Sequence, residues 1–363
     1  MGRIGPLITR VLAVVAIVPI AVILNNFYRN QRNLLLMAEM ERDFRAEDIQ
    51  QNQRLKDSVG KLGDEFGVIL LNRHALNITL NWMCNTRRFE DVHKRVLFIV
   101  MDEYTRKRLR DFYPESVVFV WHVVPLQDKF LPYDATYMSF FLMRTNMIKA
   151  LQSFNKPFWM LQADTIWRRN LFTSIDTSSF DADILLDQQG YSGTASIRQK
   201  VMNGANFFLP VKQSTSQLVS LWLEWQKWVY ITDPDLVKMF CLRNDFRCEH
   251  IPYSIACGWE WVYGDQKDAP IMIQMDGETA GNKEKVLDEY GFWFLNKDLM
   301  CIDSKVDNAI ESMETGKVPR VFSESKKKEE IVLKIGEIMN QIPIFGHFSS
   351  IYGGLASLYL RVF

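Results

Sequence analysis

One carboxylate in this sequence stands where a divalent cation could assist a reaction. Asp164 belongs to the segment Gln162-Ala163-Asp164-Thr165, which directly follows the apolar run Pro157–Leu161. Such a run predicts a buried strand, and the end of a buried strand is a rigid place for a ligand. A hard divalent cation held by carboxylate oxygens there would neutralise a diphosphate leaving group. The alternative is an aspartate that caps the turn after the strand.

Buried strands and amphipathic helices alternate around this position. We therefore expect an α/β fold with a mostly parallel sheet that helices cover on both faces. Ligands of such sheets bind beyond the carboxyl ends of the strands, which points to Asn81, Asp102 and Asp164. The helix predicted from about Met138 to Ser153 carries Arg144. The other predicted strands are Gly67–Leu71, Leu76–Leu80, Val96–Met101 and Val117–Trp121, with helical segments such as Thr105–Phe112 between them.

The composition excludes several classes of protein. The chain has 363 residues, 48% of them apolar, which is enough for one large domain. Lys and Arg together number 43, as do Asp and Glu, so the basic excess of a nucleic-acid-binding protein is missing. The sequence has no Gly-rich phosphate loop, no dinucleotide fingerprint and no G-x-S-x-G motif.

The N-terminus predicts a membrane anchor followed by a stem. The uncharged run Val11–Leu24, extended upstream with Arg10 reaching back to the headgroups, gives about 20 residues, the usual spanning length. No small-x-small site follows, so we expect an uncleaved signal anchor within residues 1–29. Residues 30–63 are polar and charge-rich and predict a partly helical stem, in which Met37, Met40 and Phe44 offer a weak dimer seam. Asn77-Ile78-Thr79 is a glycosylation sequon, usable if it is lumenal.

Five cysteines have spacings that do not fit the usual zinc pattern. A disulfide within the group from Cys241 to Cys257 fits an oxidising compartment, and small buried hydrophobic side chains are the alternative. The odd number leaves at least one thiol unpaired within the chain.

Several segments, taken in order, resemble the nucleotide-diphospho-sugar transferase family. This is a GT-A glycosyltransferase group that includes plant arabinosyl-, galactosyl- and xylosyltransferases, and the chain resembles its nematode-expanded branch. The resemblance covers roughly residues 66 to 300. It rests on Asn81-Trp82, Leu97–Glu103, Arg144, Phe158–Trp167 and Met202–Phe208.

The resemblance implies roles for Gln162, Asp164 and Arg144. Asp164 matches the last aspartate of the D-x-D motif and would bind Mn2+ (or Mg2+) and the donor diphosphate. Gln162 stands where the first aspartate usually lies, which removes one carboxylate and leaves an amide for the donor ribose. Arg144 would reach the diphosphate or the donor sugar, as a guanidinium suits phosphate.

Further positions follow from the same resemblance. Asn81 and Asp102 would face the nucleotide. Asn203 and Asn206 would line the side of the donor sugar, with Asn203 as a catalytic residue.

Two other groups of polar residues compete for these roles. Asp181-Ala182-Asp183 is a literal D-x-D, but it precedes the run Ile184–Leu186 and so starts a strand at the wrong end for the cleft. On the acceptor side, Glu260 or Asp276 could lie near the reacting sugar, with Asp276 as a catalytic candidate. For Glu260 and Asp276, packing within a loop is the alternative interpretation, and we favour it slightly.

The resemblance therefore implies a type II Golgi membrane protein with a lumenal GT-A domain at residues 64–322 and a charged segment and helix at 323–363. It would transfer a sugar from a nucleotide-diphosphate donor, expected to be a UDP-sugar, to a glycan or protein acceptor. One alternative is a catalytically inactive binding protein on the same fold, which Gln162 brings into consideration. Another is a membrane-tethered structural protein that forms a homodimer through its stem.

Overall fold

The computed structural model describes residues 4–192, 202–275, 283–320, 331, 338 and 341–360. Side chains are described from residue 20 onward, apart from some in the last helix.

Seven strands form the large sheet, and it is mostly parallel as predicted. Its order is β3-β2-β1-β4-β7-β6-β8, with β7 antiparallel to both β4 and β6 and the other neighbours parallel. Because β4 and β6 both oppose β7, they run in the same direction and their carboxyl ends meet at one edge. The strands are β1 (Phe66–Leu71), β2 (Val96–Val100), β3 (Val117–Val120), β4 (Phe158–Met160), β6 (Ile184–Gln188), β7 (Met202–Leu209) and β8 (Cys248–His250).

A second sheet of three strands continues from the edge where β4 ends. Strand β10 lies at its centre, antiparallel to β5 and parallel to β9. Only a short turn separates β4 from β5, so the small sheet starts at the predicted ligand-binding edge. Its strands are β5 (Thr165–Trp167), β9 (Ala256–Gly258) and β10 (Met272–Gln274).

Helices cover both faces of the large sheet. Successive side chains of β1 and β2 alternate between two hydrophobic clusters, so Val68 faces one and Ile69 the other. The helices are α1 (Ile4–Met40), α2 (Ala46–Gln51), α3 (Gln53–Gly60), α4 (Leu76–Thr86), α5 (Glu103–Phe112), α6 (Ala135–Gln152), α7 (Leu171–Ser174), α8 (Gln213–Trp228), α9 (Asp233–Leu242), α10 (Glu260–Tyr263), α11 (Lys283–Glu289), α12 (Asp303–Glu314) and α13 (Pro343–Leu360).

The prediction of a strand at Leu76–Leu80 is wrong, because this segment begins helix α4. The Asn72 side chain accepts a hydrogen bond from the backbone N–H of His74 (3.0 Å) and starts a helical turn before α4. Leu76, Leu80 and Met83 are then buried at helical spacing. Asn81 consequently lies within a helix and not at the end of a strand.

Residues 30–63 are helical in part, as expected, but they do not form a separate stem. Met37, Phe44, Ile49 and Leu55 are at most 2% exposed and belong to the same hydrophobic cluster as β1. Side-chain packing is therefore continuous across the domain boundary that was predicted between residues 63 and 64. The apolar seam expected to pair two copies is buried inside the chain's own core.

In the described part of the chain, no helix combines the length and apolar character needed to cross a membrane. Residues 4–19, which make up most of the predicted span, lie in α1, and their side chains are outside the described residues.

The two chain ends meet at α1 and α13. The side chain of Asn26 donates to the carbonyl oxygen of Tyr359 (3.0 Å), and that of Asn30 to the carbonyl oxygen of Leu358 (3.4 Å). These amides are 3% and 1% exposed. The last helix is thus held against the first by side-chain amides that would be costly to bury without partners.

Two disulfides link elements of the fold. Cys241 pairs with Cys248, which links α9 to β8 and confirms a disulfide within the expected group. Cys84 pairs with Cys301 across 217 residues and links α4 to the segment before α12. Cys257 is buried and unpaired as a thiol.

Candidate active site

Asp164 follows β4 at the carboxyl edge of the large sheet and is 9% exposed. Its Oδ1 accepts a hydrogen bond from Nε2 of Gln274 on β10 (2.9 Å). Its Oδ2 forms an ion pair with the ammonium of Lys283, the first residue of α11. The backbone carbonyl of Asp164 also accepts from the N–H of Met275 (2.9 Å). The carboxylate is therefore fixed between the two sheets and the start of α11, and it does not cap a turn.

A buried amide network holds Gln162 beside Asp164. Nε2 of Gln274 donates to Oε1 of Gln162 (3.2 Å) as well as to Asp164, and Oε1 of Gln274 accepts from Asn206 (2.7 Å). Oδ1 of Asn206 accepts from the backbone N–H of Gln162 (3.0 Å). Asp187, at the end of β6, accepts from Nδ2 (3.0 Å) and the backbone N–H (2.8 Å) of Asn206. This network fixes the orientation of the D-x-D-like segment.

A cavity of about 420 Å³ opens beside this network. Gln162, Asp164, Arg144 and Lys283 contribute its polar wall. Much of the remaining wall is aromatic and comes from α6 and the segment before it, namely Phe130, Tyr137, Phe140 and Phe141. The volume is in the range of small-molecule sites, and the mixture of apolar surface with a few charged groups is typical of them.

Arg144 reaches this cavity from α6 while paired with a buried carboxylate. Its Nε donates to Asp233 on α9, and both side chains are at most 5% exposed. Burial raises the pKa of Asp233 to about 6, and the charge of Arg144 opposes that rise. Nη2 of Arg144 is buried without a hydrogen-bond partner among the described residues.

Two residues predicted to face the nucleotide are used inside the protein instead. Asn81 donates to the carbonyl of Phe292 (2.9 Å) and accepts from the N–H of Phe294 (2.7 Å). Asp102 caps α5 by accepting from the N–H of Thr105 (2.7 Å), and its other oxygen accepts from the N–H of Arg73 (3.1 Å). The structure does not bring either side chain into the wall of the cavity with Asp164.

The remaining predicted positions are scattered around the cleft. Asn203 is half-buried near the start of β7, one residue after the described part of the chain resumes, whereas Asn206 lies at the centre of the amide network. Asp276 falls outside the described residues. Glu260 is buried at the start of α10. Asn77 lies on α4, half-buried, and donates to Glu284 of α11 (3.0 Å).

The literal D-x-D at Asp181 and Asp183 lies at the opposite edge of the sheet, as predicted. Asp183 accepts from the N–H of Arg247 (2.9 Å) and from the hydroxyl of Ser214, immediately before β6 begins. Asp181 is 75% exposed and forms surface ion pairs with Lys212 (2.8 Å) and Arg247. These carboxylates tie loops together at the amino end of β6.

The described residues around Asp164 do not by themselves fit the expected Mn2+ or Mg2+. Gln162 supplies an amide in place of the first carboxylate, and both oxygens of Asp164 are engaged by Gln274 and Lys283. Within the described ranges, no three His, Cys, Asp or Glu side chains are grouped so that they could hold a metal ion. Hard divalent cations need several oxygen ligands, and this donor set offers few.

Asp187 and Lys283 were missed in the sequence, and the segment that begins at Gln274 was considered only for the acceptor side. Asp187 follows the apolar run of β6 and could have been found by the same strand-end rule that identified Asp164. Gln274 and Lys283 stand 110 and 119 residues away from Asp164 and carry no motif. Only the second sheet and α11 bring them to the carboxylate.

The model of the nucleotide-diphospho-sugar transferase family matches residues 91–288. No curated protein matches the sequence.

Solved structures with similar folds are distant in sequence. The galactosyltransferase LgtC, in complex with donor and acceptor sugar analogues, is 12% identical with a TM-score of 0.41, over 73% of this chain and 99% of that one. Mouse xyloside xylosyltransferase 1 is 11% identical with a TM-score of 0.41, over 58% and 98% of the two chains. A mannosyltransferase from Pyrobaculum calidifontis, in complex with GDP-Man and Mn2+, is 8% identical with a TM-score of 0.33, over 93% and 96%.

Proposed function

The chain belongs to the nucleotide-diphospho-sugar transferase family, and we propose that it transfers a sugar from a UDP-sugar to a hydroxyl of a glycan or protein acceptor. The observation that carries this proposal is the cavity at the carboxyl edge of β4. It places a buried carboxylate, an ammonium and a guanidinium against an aromatic wall. Fold alone would not support an activity, so the proposal depends on these side chains.

The two parts of the cavity match the two parts of such a donor. Tyr137 and Phe140 are half-buried and offer ring faces to a base or a sugar. Lys283 and Arg144 offer positive charge to the diphosphate, and a guanidinium suits phosphate oxygens particularly well.

In the proposed reaction, the bond between the anomeric carbon and the β-phosphate oxygen breaks, and its electron pair leaves with the nucleoside diphosphate. The acceptor hydroxyl oxygen bonds to the anomeric carbon, and its proton passes to a base. Positive groups fixed beside the leaving oxygen lower the barrier, because negative charge develops there. The expected divalent cation has no part in this proposal, since Asp164 is engaged by Lys283 and Gln274.

A donor screen tests the proposal. The full chain is incubated with UDP-glucose, UDP-galactose, UDP-xylose and GDP-mannose, and release of the nucleoside diphosphate is measured. We expect turnover of at least one UDP-sugar, which Asp164→Ala abolishes and Asp181→Ala leaves unchanged. Turnover that survives Asp164→Ala would contradict the site.

The second candidate is a binding protein without turnover, and the amide at Gln162 favours it. This candidate predicts calorimetric binding of UDP by the wild-type chain together with no release from any donor in the screen. Lack of both binding and turnover would exclude both candidates.

Anchorage in the Golgi membrane, with the catalytic domain in the lumen, is part of the same proposal. The apolar run Val11–Leu24 and the two disulfides support it, since disulfides persist in oxidising compartments. Protease protection in sealed microsomes tests it, because a lumenal domain resists digestion until detergent is added. A homodimer through residues 30–63 is not proposed, because their apolar side chains are buried in the domain.

A further inference from the structure

The ion pair between Lys283 and Asp164 occupies the position that a divalent cation was expected to take. We propose that the ammonium of Lys283 neutralises the donor diphosphate in place of a divalent cation, so that this chain binds its nucleotide without metal. This inference rests on the proposed function, because it concerns the same cavity and the same ligand. It goes further by naming the group that provides the positive charge.

Charge balance supports the exchange. In a D-x-D site, two carboxylates balance one divalent cation. Here Gln162 replaces one carboxylate, and the remaining one, Asp164, is balanced by a single ammonium. Both sites are neutral before the ligand arrives. The single ammonium of Lys283 therefore balances the single carboxylate of Asp164, and the glutamine at position 162 is compatible with an active site.

The local contacts suit an ammonium better than a metal. Gln274 donates its amide hydrogens to both Gln162 (3.2 Å) and Asp164 (2.9 Å), which takes up oxygens that a metal would need. An ammonium carries three hydrogen-bond donors, and Asp164 accepts one of them. Asp164 is its one hydrogen-bond partner among the described residues, so two N–H groups remain for phosphate oxygens.

Partial burial strengthens the electrostatic interactions of the Lys283 ammonium. The side chains of Asp164 and Lys283 are 11% and 16% exposed, so the pair is shielded from most solvent yet open to the cavity. Electrostatic interactions are stronger there than at the surface. The neighbouring residue Glu284 is hydrogen-bonded to Asn77 of α4 (3.0 Å), which fixes the start of α11 across the cleft.

Calorimetry of UDP binding to the full chain tests the inference, first with EDTA and then with Mn2+. We expect affinities within about twofold of one another in the two conditions. Lys283→Met should weaken binding about 10- to 100-fold in EDTA, the range that a hydrogen bond to a charged group supplies. Lys283→Arg should recover part of the loss. Lys285→Met is the matched control, because Lys285 lies on the same helix with its side chain 70% exposed.

The outcomes separate the two proposals. UDP binding that requires Mn2+, or an affinity that Lys283→Met leaves unchanged, would overturn the role of Lys283 while the proposed function stands. Absence of UDP binding in both conditions would overturn both proposals. The wild-type comparison needs no variant, so it decides the metal question even if Lys283→Met folds poorly. Electron paramagnetic resonance of Mn2+ with the chain and UDP gives a second readout, and we expect the signal of free Mn2+ to be unchanged by the protein.

Discussion

The chain contains two segments that resemble a D-x-D motif, and they lie at opposite ends of parallel strands. Gln162-Ala163-Asp164 has lost one carboxylate, yet it lies in a cavity, buried and held by residues from β7, β10 and α11. Asp181-Ala182-Asp183 keeps both carboxylates, yet it binds loop residues at the amino edge of β6. The difference shows that the edge of the sheet, and not the letters of the motif, determines which segment can meet a ligand.

The two segments also differ in what their charges can do. The ion pairs of Asp181 are largely solvated, and such pairs contribute about 0–1 kcal/mol to stability. The pair of Asp164 with Lys283 and that of Arg144 with Asp233 are at least four-fifths shielded from solvent. Removal of one partner from a shielded pair leaves a charge uncompensated, so the largest effects are expected there.

The largest effect on stability is expected at the Arg144–Asp233 pair. Asp233→Ala should lower the free energy of unfolding by about 3–5 kcal/mol, because the guanidinium of Arg144 is left buried without a counter-charge. Urea unfolding measures it. Asp233→Ala combined with Arg144→Met is the control, and it should recover part of the loss. A loss below about 1 kcal/mol in the single variant would contradict the buried pair.

A large effect on activity is expected at Asp164. Asp164→Asn keeps the shape of the side chain but removes the charge that holds Lys283. The kcat for donor turnover should fall about 100-fold, the usual range for loss of an electrostatic contact at a reacting centre. Asp183→Asn is the matched variant in the other segment, and its kcat should stay within about twofold. If the two variants lose activity equally, position in the sheet does not separate the segments.

An intermediate effect is expected in the pH dependence of stability. Burial raises the pKa of Asp233 to about 6 in the folded chain, against an ordinary value of 3.8. The folded state therefore binds the proton more tightly, so the contribution of Asp233 is full below about pH 4 and is lost as the pH rises to about 6. The slope is at most about 1.4 kcal/mol per pH unit.

Urea unfolding between pH 4 and pH 7 tests that slope, with Asp233→Asn expected to remove it. The comparison carboxylate is Asp303, whose pKa the hydrogen bond from Arg87 lowers. Its contribution has the opposite sign, because it is present at neutral pH and is lost as the pH falls below its ordinary range. An unchanged slope in Asp233→Asn would show that other groups cause it.

The smallest effect is expected at the exposed pairs of the other segment. Asp181→Ala should change the free energy of unfolding by less than about 0.5 kcal/mol, because its partners Lys212 and Arg247 remain solvated. The same urea titration measures it. A loss comparable to that of Asp233→Ala would mean that exposure does not separate the two kinds of pair.

Continuous apolar runs made most strands of the large sheet predictable. Strands β1 to β4 are largely buried and consist of apolar residues and glycine, and β6 begins with the apolar run Ile184–Leu186. The strand prediction for Leu76–Leu80 failed because a short apolar segment fits the periods of both a strand and a helix. The side chain of Asn72 starts a helical turn just before this segment. The prediction of a separate stem at residues 30–63 failed because the apolar residues there are too sparse to show a helical period. These residues nevertheless fill the core beside β1.

Only part of the candidate site was predictable from the sequence. Asp164 was found because it ends a recognisable buried strand, and Asn206 and Gln162 through the family resemblance. Gln274 and Lys283 have no local signal, and the long-range pairing of β10 with β5 is what places them at Asp164. Asn81 and Asp102 bond within the protein, because a polar residue after an apolar run serves equally well as an internal hydrogen-bond partner or a helix cap.

Hydrogen–deuterium exchange of the full chain with and without UDP tests the central claim most directly, because it reports where the nucleotide binds. We predict that UDP slows exchange in residues 158–167 and 272–275, on either side of Asp164. We predict no change in residues 181–184 and 245–248, around the other D-x-D. Protection of the second pair of segments without the first would contradict the assignment of the nucleotide site to Asp164.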